Sequence, residues 1–279
     1  SDATGIGTIT NDDAATVSID NVSHNEGNSG TTAYDFTVTL SKISDAEVKV
    51  DYTTVDGAAT TGDLDYTATN GTLTFAAGET TKTISVLATG DSKVELTEAF
   101  TVTLSNLVNN TRNISLGTST GTGTLTNDDA ATLAINDVSI AEGDAGTSTL
   151  TFTVTHSGTS TDVPFTVDYA TAIGTATTVD GDFVAKTGTL NFSGATGEVQ
   201  TFGITINGDT KVELNENFTI NLSNVQATGR NVTISDASGS GTITNVDAAT
   251  VSINNVTLAE GDSGTKNFDF TVTLSQASD

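Results

Sequence analysis

Seven carboxylates outside the strand-like stretches of one repeat carry most of the chemistry this chain could do. They are Glu26, Asp65, Asp91, Glu95, Glu98 and the adjacent pair Asp128 and Asp129. Two unit charges ~5 Å apart repel by roughly 3 kcal/mol at an effective dielectric of ~20. A cluster of this kind either spreads into water or binds cations. Calcium suits the second case, because it accepts about six to eight oxygens in irregular geometry. No softer metal competes: Cys is absent, and the two histidines, His24 and His156, stand alone and are expected to be exposed loop or strand-end residues.

The carboxylates recur because the chain does. Gly5-Ile-Gly-Thr-Ile-Thr-Asn-Asp-Asp-Ala-Ala-Thr16 returns 116 residues later as Gly121-Thr-Gly-Thr-Leu-Thr-Asn-Asp-Asp-Ala-Ala-Thr132, and again from Gly239. Glu26-Gly-Asn-Ser-Gly-Thr likewise returns at Glu142 and Glu260. The second copy thus repeats the acidic set as Glu142, Asp182, Asp209, Glu213, Glu216 and Asp247, with Val246 where Asp128 stood. That loss should weaken calcium at the second junction. A repeat of this length encloses its own core, unlike a solenoid unit. The expected organisation is the tail of a preceding repeat at 1–11, complete repeats at 12–128 and 129–246, and the start of a following repeat at 247–279.

Period-two alternation supplies the elements that position the acids. Residues 16–19, 34–40, 48–52, 71–75, 83–87, 100–104 and 123–126 read as strands. In the second of these, Phe36, Val38 and Leu40 should point inward while Asp35, Thr37 and Thr39 face water. Seven short strands in one repeat predict an all-β chain of tandem seven-stranded, immunoglobulin-like antiparallel β-sandwiches. The acids follow the first, third, fifth and seventh strands, so up-and-down alternation gathers them at one end.

Composition narrows the function. Thr supplies 58 of 279 residues and Pro one, a strand-rich mixture without a helical stretch. With 35 acidic against 9 basic residues, nucleic acid is excluded as a partner for want of a basic footprint. No apolar run approaches the ~20 residues of a membrane span, so direct membrane insertion is not expected. An enzyme is not expected either. No repeat holds a Ser–His–Asp set, and pairs such as Glu95 and Glu98 serve a metal better than a glycosidase.

The chain resembles the Calx-beta family, known from sodium–calcium exchanger regulatory domains and bacterial surface proteins. The resemblance rests on Glu26-Gly-Asn-Ser-Gly-Thr, Asp65-Tyr66, Gly71-Thr-Leu-Thr-Phe with Gly78-Glu79, Asp91-Ser-Lys-Val-Glu95-Leu-Thr-Glu98-Ala-Phe100, and Asn127-Asp128-Asp129. It implies a seven-stranded sandwich whose distal loops bind several calcium ions. The implied ligands are the acids already named, with the Lys93 carbonyl in the first repeat and the Lys211 carbonyl in the second. The chain departs from the family pattern at Gly90, Asn127 and Val246. The expected function is a calcium-binding, repetitive extracellular rod in a bacterial adhesin, surface fibre or matrix protein. The alternative is a calcium-regulated protein-interaction module. Expected partners are neighbouring repeats of the same polypeptide and identical chains in a fibre or matrix, outside the cell or at its surface.

Overall fold

Residues 3–278 are described by a computed structural model, which is all β among them and divides into two compact units between Asp129 and Ala130. In the first unit, β1 (Ala15–Ile19), β3 (Thr31–Leu40), β6 (Thr81–Thr89) and β8 (Ile114–Leu116) form one sheet in the order β6-β3-β1-β8. The other sheet is β2-β9-β7-β4-β5, built from β2 (Val22–Asn25), β4 (Val48–Val55), β5 (Asn70–Phe75), β7 (Glu98–Val108) and β9 (Thr120–Thr126). Between them lies a core of Val17, Tyr34, Phe36, Val38, Phe75, Val86, Phe100 and Val102, all fully buried. The alternation in β3 places Phe36, Val38 and Leu40 inside while Asp35, Thr37 and Thr39 face water.

The seven-strand reading becomes nine strands, because the first and last are each shared between sheets. β1 pairs antiparallel with β3 and parallel with β8, whereas β2 pairs parallel with β9, so the sandwich is not wholly antiparallel. The switch occurs at Asp20-Asn21. Asp20 Oδ1 accepts the Thr37 amide at 2.7 Å and Asn21 Oδ1 the Thr122 amide at 2.8 Å, so one side chain ties into each sheet. Short polar side chains that bond nearby main chain favour such a break over a continuous ladder.

The second unit repeats this with β10 (Ala131–Ile135), β11 (Val138–Ala141), β12 (Gly146–Gly158), β13 (Phe165–Ile173), β14 (Thr187–Phe192), β15 (Val199–Gly208), β16 (Glu216–Gln226), β17 (Val232–Asp236) and β18 (Ser238–Thr244). Its sheets run β15-β12-β10-β17 and β11-β18-β16-β13-β14. Asn136 and Asp137 make the same switch, accepting the amides of Thr153 and Ser240. A two-stranded hairpin follows, β19 (Val251–Ile253) with β20 (Val272–Leu274), whose Phe268, Phe270 and Val272 are more than half exposed.

His156 corrects the expectation that both histidines are exposed. It is fully buried at the inward position matching Leu40, edge-on to Phe165, with Nδ1 2.8 Å from the Ala195 carbonyl oxygen. His24 is exposed.

One further difference between the repeats is a matched pair. Tyr66 stacks on Phe100 and donates its hydroxyl to Asp56 at 2.6 Å; burial, then Asp56, pushes the phenol up to about 12. Phe183 and Ile173 stand at these two positions in the second repeat. A hydrogen bond of this kind contributes about 1 kcal/mol net. Tyr66→Phe should therefore lower the melting temperature of the first repeat by roughly 4 °C; an unchanged value would show that the bond adds nothing.

Candidate metal centre

Two loops and the chain leaving β9 bring three of the acids of the first repeat together. The loop after β2 carries Glu26, and it is pressed against the chain that leaves β6. A Cβ on Gly90 would collide with the main-chain carbonyls of Glu26 and Gly27, so this position must be glycine. That is the physical reason for the departure from the family pattern at Gly90. The close approach sets Asp91 beside Glu26, and β9 delivers Asp129 to the same point. Carboxylate oxygens of Glu26, Asp91 and Asp129 lie within 4.8 Å of one another. Glu26 is 8 % and Asp129 3 % exposed, while Asp91 is open to solvent.

The second repeat gathers a different triad, Asp182, Glu213 and Glu216, also within 4.8 Å and half-buried. By repeat position these match Asp65, Glu95 and Glu98. Asp65 and Asp182 are aimed identically, each accepting a main-chain amide at 2.6 Å, from Thr60 and Thr177 respectively. The residue before each has left-handed backbone, Leu64 at φ 73° and Gly181 at φ 93°. Glu142, Asp209 and Asp247 match the first triad, and both Asp209 and Asp247 act electrostatically on Glu142.

The remaining predicted residues hold the loops in place. Asp128 accepts the Gly27 amide at 3.2 Å and the Asn25 side chain at 3.3 Å, bracing the turn that carries Glu26. Lys93 and Lys211 donate main-chain amides to Asp91 and Asp209, both at 2.7 Å. Their ammonium groups pair with Glu95 at 2.5 Å and Glu213 at 2.8 Å. Asn127 Oδ1 and Asn245 Oδ1 accept the amides of Glu95 and Glu213. Asparagine at the start of the closing triplet therefore positions the loop opposite, which accounts for the departure at Asn127.

Electrostatics mark the buried acids. Burial, then Glu95, Asp91, Asp129 and Asp128, push Glu26 up to about 7. Burial and then Asp128 and Asp91 raise Asp129; burial, then Glu213, raises Glu142. Asp247 is raised by burial and then by Asp144, an acid absent from the predicted set. Asp144 occupies the place of Asn28, whose side chain in the first repeat donates to Asp129 at 2.7 Å. The second repeat thus loses a carboxylate at Val246 and regains one at Asp144.

The Calx-beta domain model matches residues 10–137 and 126–255, spanning both repeats. The chain belongs to the Calx-beta family. Among solved structures it is similar to CBD12 from CALX1.2, at 15% identity and TM-score 0.38, over 83% of this chain and all of that one. It is also similar to the calcium binding domain CBD12 of CALX1.1, at 18% identity and TM-score 0.37, over 76% and 81%. A third is the apo-form Calx CBD1 domain, at 22% identity and TM-score 0.36, over 43% and 100%. No curated protein matches the chain in sequence.

Proposed function

We propose that both acidic ends bind calcium and that this Calx-beta protein is a repetitive extracellular rod, part of a bacterial adhesin, surface fibre or matrix protein. The observation that carries the ion is Glu26: its Oε1 is buried without a hydrogen-bond partner, among Asp91 and Asp129. In the second repeat, Asp247 Oδ2 is buried in the same condition. An ionised carboxylate buried among like charges is costly unless a cation compensates it. An all-oxygen donor set drawn from irregular loops fits calcium better than the smaller, strictly octahedral magnesium.

In the first repeat Glu26, Asp65, Asp91, Glu95, Glu98, Asp128 and Asp129, with the Lys93 carbonyl, would hold the ions. In the second, Glu142, Asp144, Asp182, Asp209, Glu213, Glu216 and Asp247 would do so, with the Lys211 carbonyl. Bound calcium neutralises the cluster and ties separate loops to the end of the last strand. The rod reading is supported by consecutive repeats that keep the same nine-strand pattern and acids at matching positions.

Melting in excess chelator against millimolar calcium tests the ion. An ion that binds only the folded state at ~1,000 times its Kd adds about 4 kcal/mol. Equal melting temperatures in the two buffers would reject it. The rod is tested by small-angle scattering under the same two conditions. A maximum dimension and flexibility indifferent to calcium would leave calcium binding standing and remove the stiffened rod.

A further inference from the structure

The acidic loop of the second repeat has a second side. Of three consecutive amides, those of Lys211 and Glu213 turn inward, to Asp209 Oδ1 and Asn245 Oδ1. The amide between them turns outward: Val212 N–H donates to the Ala277 carbonyl at 2.9 Å, and Val212 forms a parallel bridge with Ser278. Residues 275–278 are the turn that follows β20, and by sequence position they belong to the further repeat that starts at residue 247. The turn is built independently of the contact. Ser275 accepts the Thr250 amide on its Oγ at 2.8 Å and donates its own amide to the Thr250 carbonyl at 2.9 Å. Ser41 and Thr16 make the same two bonds in the first repeat, at 2.8 and 2.9 Å. An already formed turn therefore meets an already formed loop.

We propose that the main-chain edge of Lys211-Val212-Glu213 is a docking strip for the repeat that follows, and that the serine-headed turn after its second strand is the partner surface. Successive repeats are then joined at this point by a strand-like contact as well as by the peptide chain. The hydrogen bond joins two main-chain groups and none of the named carboxylates, so the inference goes beyond the calcium reading. It also explains the spacing in Asp209-Thr-Lys-Val-Glu213. Two flanking residues anchor the loop to its own repeat, and the one between presents a free donor. A comparable acceptor exists on the first repeat. There Ile43, at the Ala277 position, is 73% exposed beside a cleft of about 770 Å³ whose wall includes Asn11, Asp13 and Arg112.

The chain has no cysteine, so an engineered pair reports the contact directly. Neighbouring strands lie about 4.8 Å apart, within the ~4.4–6.8 Å that a disulfide spans between Cα atoms. Val212→Cys with Ser278→Cys, in dilute protein with calcium, should form an intramolecular disulfide in most chains on air oxidation. The control, Val212→Cys with Ser263→Cys, places the second thiol in the loop at the other end of the β19–β20 hairpin and should stay reduced. Persistence of both thiols in the first pair, as in the control, would overturn the proposal. In the unaltered protein the Val212 amide should exchange with deuterium at least ~10-fold more slowly than that of exposed Thr210. Equal rates would overturn it too.

Discussion

Glu26→Gln should raise the stability of the first repeat in chelator and lower it in calcium, while the second repeat keeps its full response. The opposite signs follow from one geometry. The Glu26 carboxyl is 8% exposed and faces Asp91 and Asp129, and burial with these neighbours pushes its pKa up to about 7 from an ordinary 4.5. A raised carboxyl favours the protonated folded state. That stability is fully present below pH 4.5 and is lost as pH rises through 7. Without calcium at pH 8, the ionised side chain therefore opposes folding by something on the order of 1 to 3 kcal/mol. A neutral glutamine of nearly equal size removes that opposition, and its advantage in chelator should grow from pH 5 to pH 8. In calcium the same charge is an asset, and glutamine forfeits it. Thermal melts of both proteins in both buffers check the prediction. A variant less stable than the parent in both would mark Glu26 as a structural residue and not an ion ligand.

Much of this arrangement was legible in the sequence, and the exceptions have physical causes. The alternation Tyr34, Phe36, Val38, Leu40 places β3 directly, since a half-buried strand has no other way to satisfy both its faces. The short strands β2 and β8 leave no local signal, because Val22-Ser-His-Asn and Ile114-Ser-Leu are too brief to show a period. What creates β2 is the Asp20-Asn21 break, whose two side chains bond to opposite sheets, a long-range fact that no local pattern encodes. His156 looks exposed by residue type but is inward by phase. It continues the inward series Leu150, Phe152, Val154, and that parity would have placed it in the core. Repeat correspondence named the carboxylates, but only the folded chain divides them into two triads and gives Asp128 the task of bracing the Glu26 turn. Asp144 gives no signal in the sequence, because Glu142-Gly-Asp-Ala-Gly reads as a turn with an interchangeable Asn or Asp. Its bearing on Asp247 is visible only across the 103 residues that separate them.

That pairing of Val246 with Asp144 sets up the sharpest comparison between the repeats. The first carries Asn28 with Asp128, the second Asp144 with Val246, so each end holds seven acids in a different order. Val246→Asp alone should give the second repeat an eighth carboxylate, placed to accept the Gly143 amide as Asp128 accepts that of Gly27. In chelator the added charge joins Glu142, Asp144 and Asp247, each unit pair costing roughly 1–3 kcal/mol at an effective dielectric of ~20 or above, so the melting temperature should fall. In calcium the extra oxygen should raise affinity, by about tenfold if it contributes the ~1.4 kcal/mol typical of one charge-assisted contact. Asp144→Asn should do the reverse in both buffers. The double variant, Asp144→Asn with Val246→Asp, rebuilds the first repeat's pattern and should return the second repeat to that affinity. Asp128→Val in the first repeat should weaken calcium there, because the Glu26 turn loses both its brace and a charge. Calcium titration of the four proteins decides it. Affinities that follow neither the count nor the placement of these acids would mean that residues 128 and 246 do not bear on the ion.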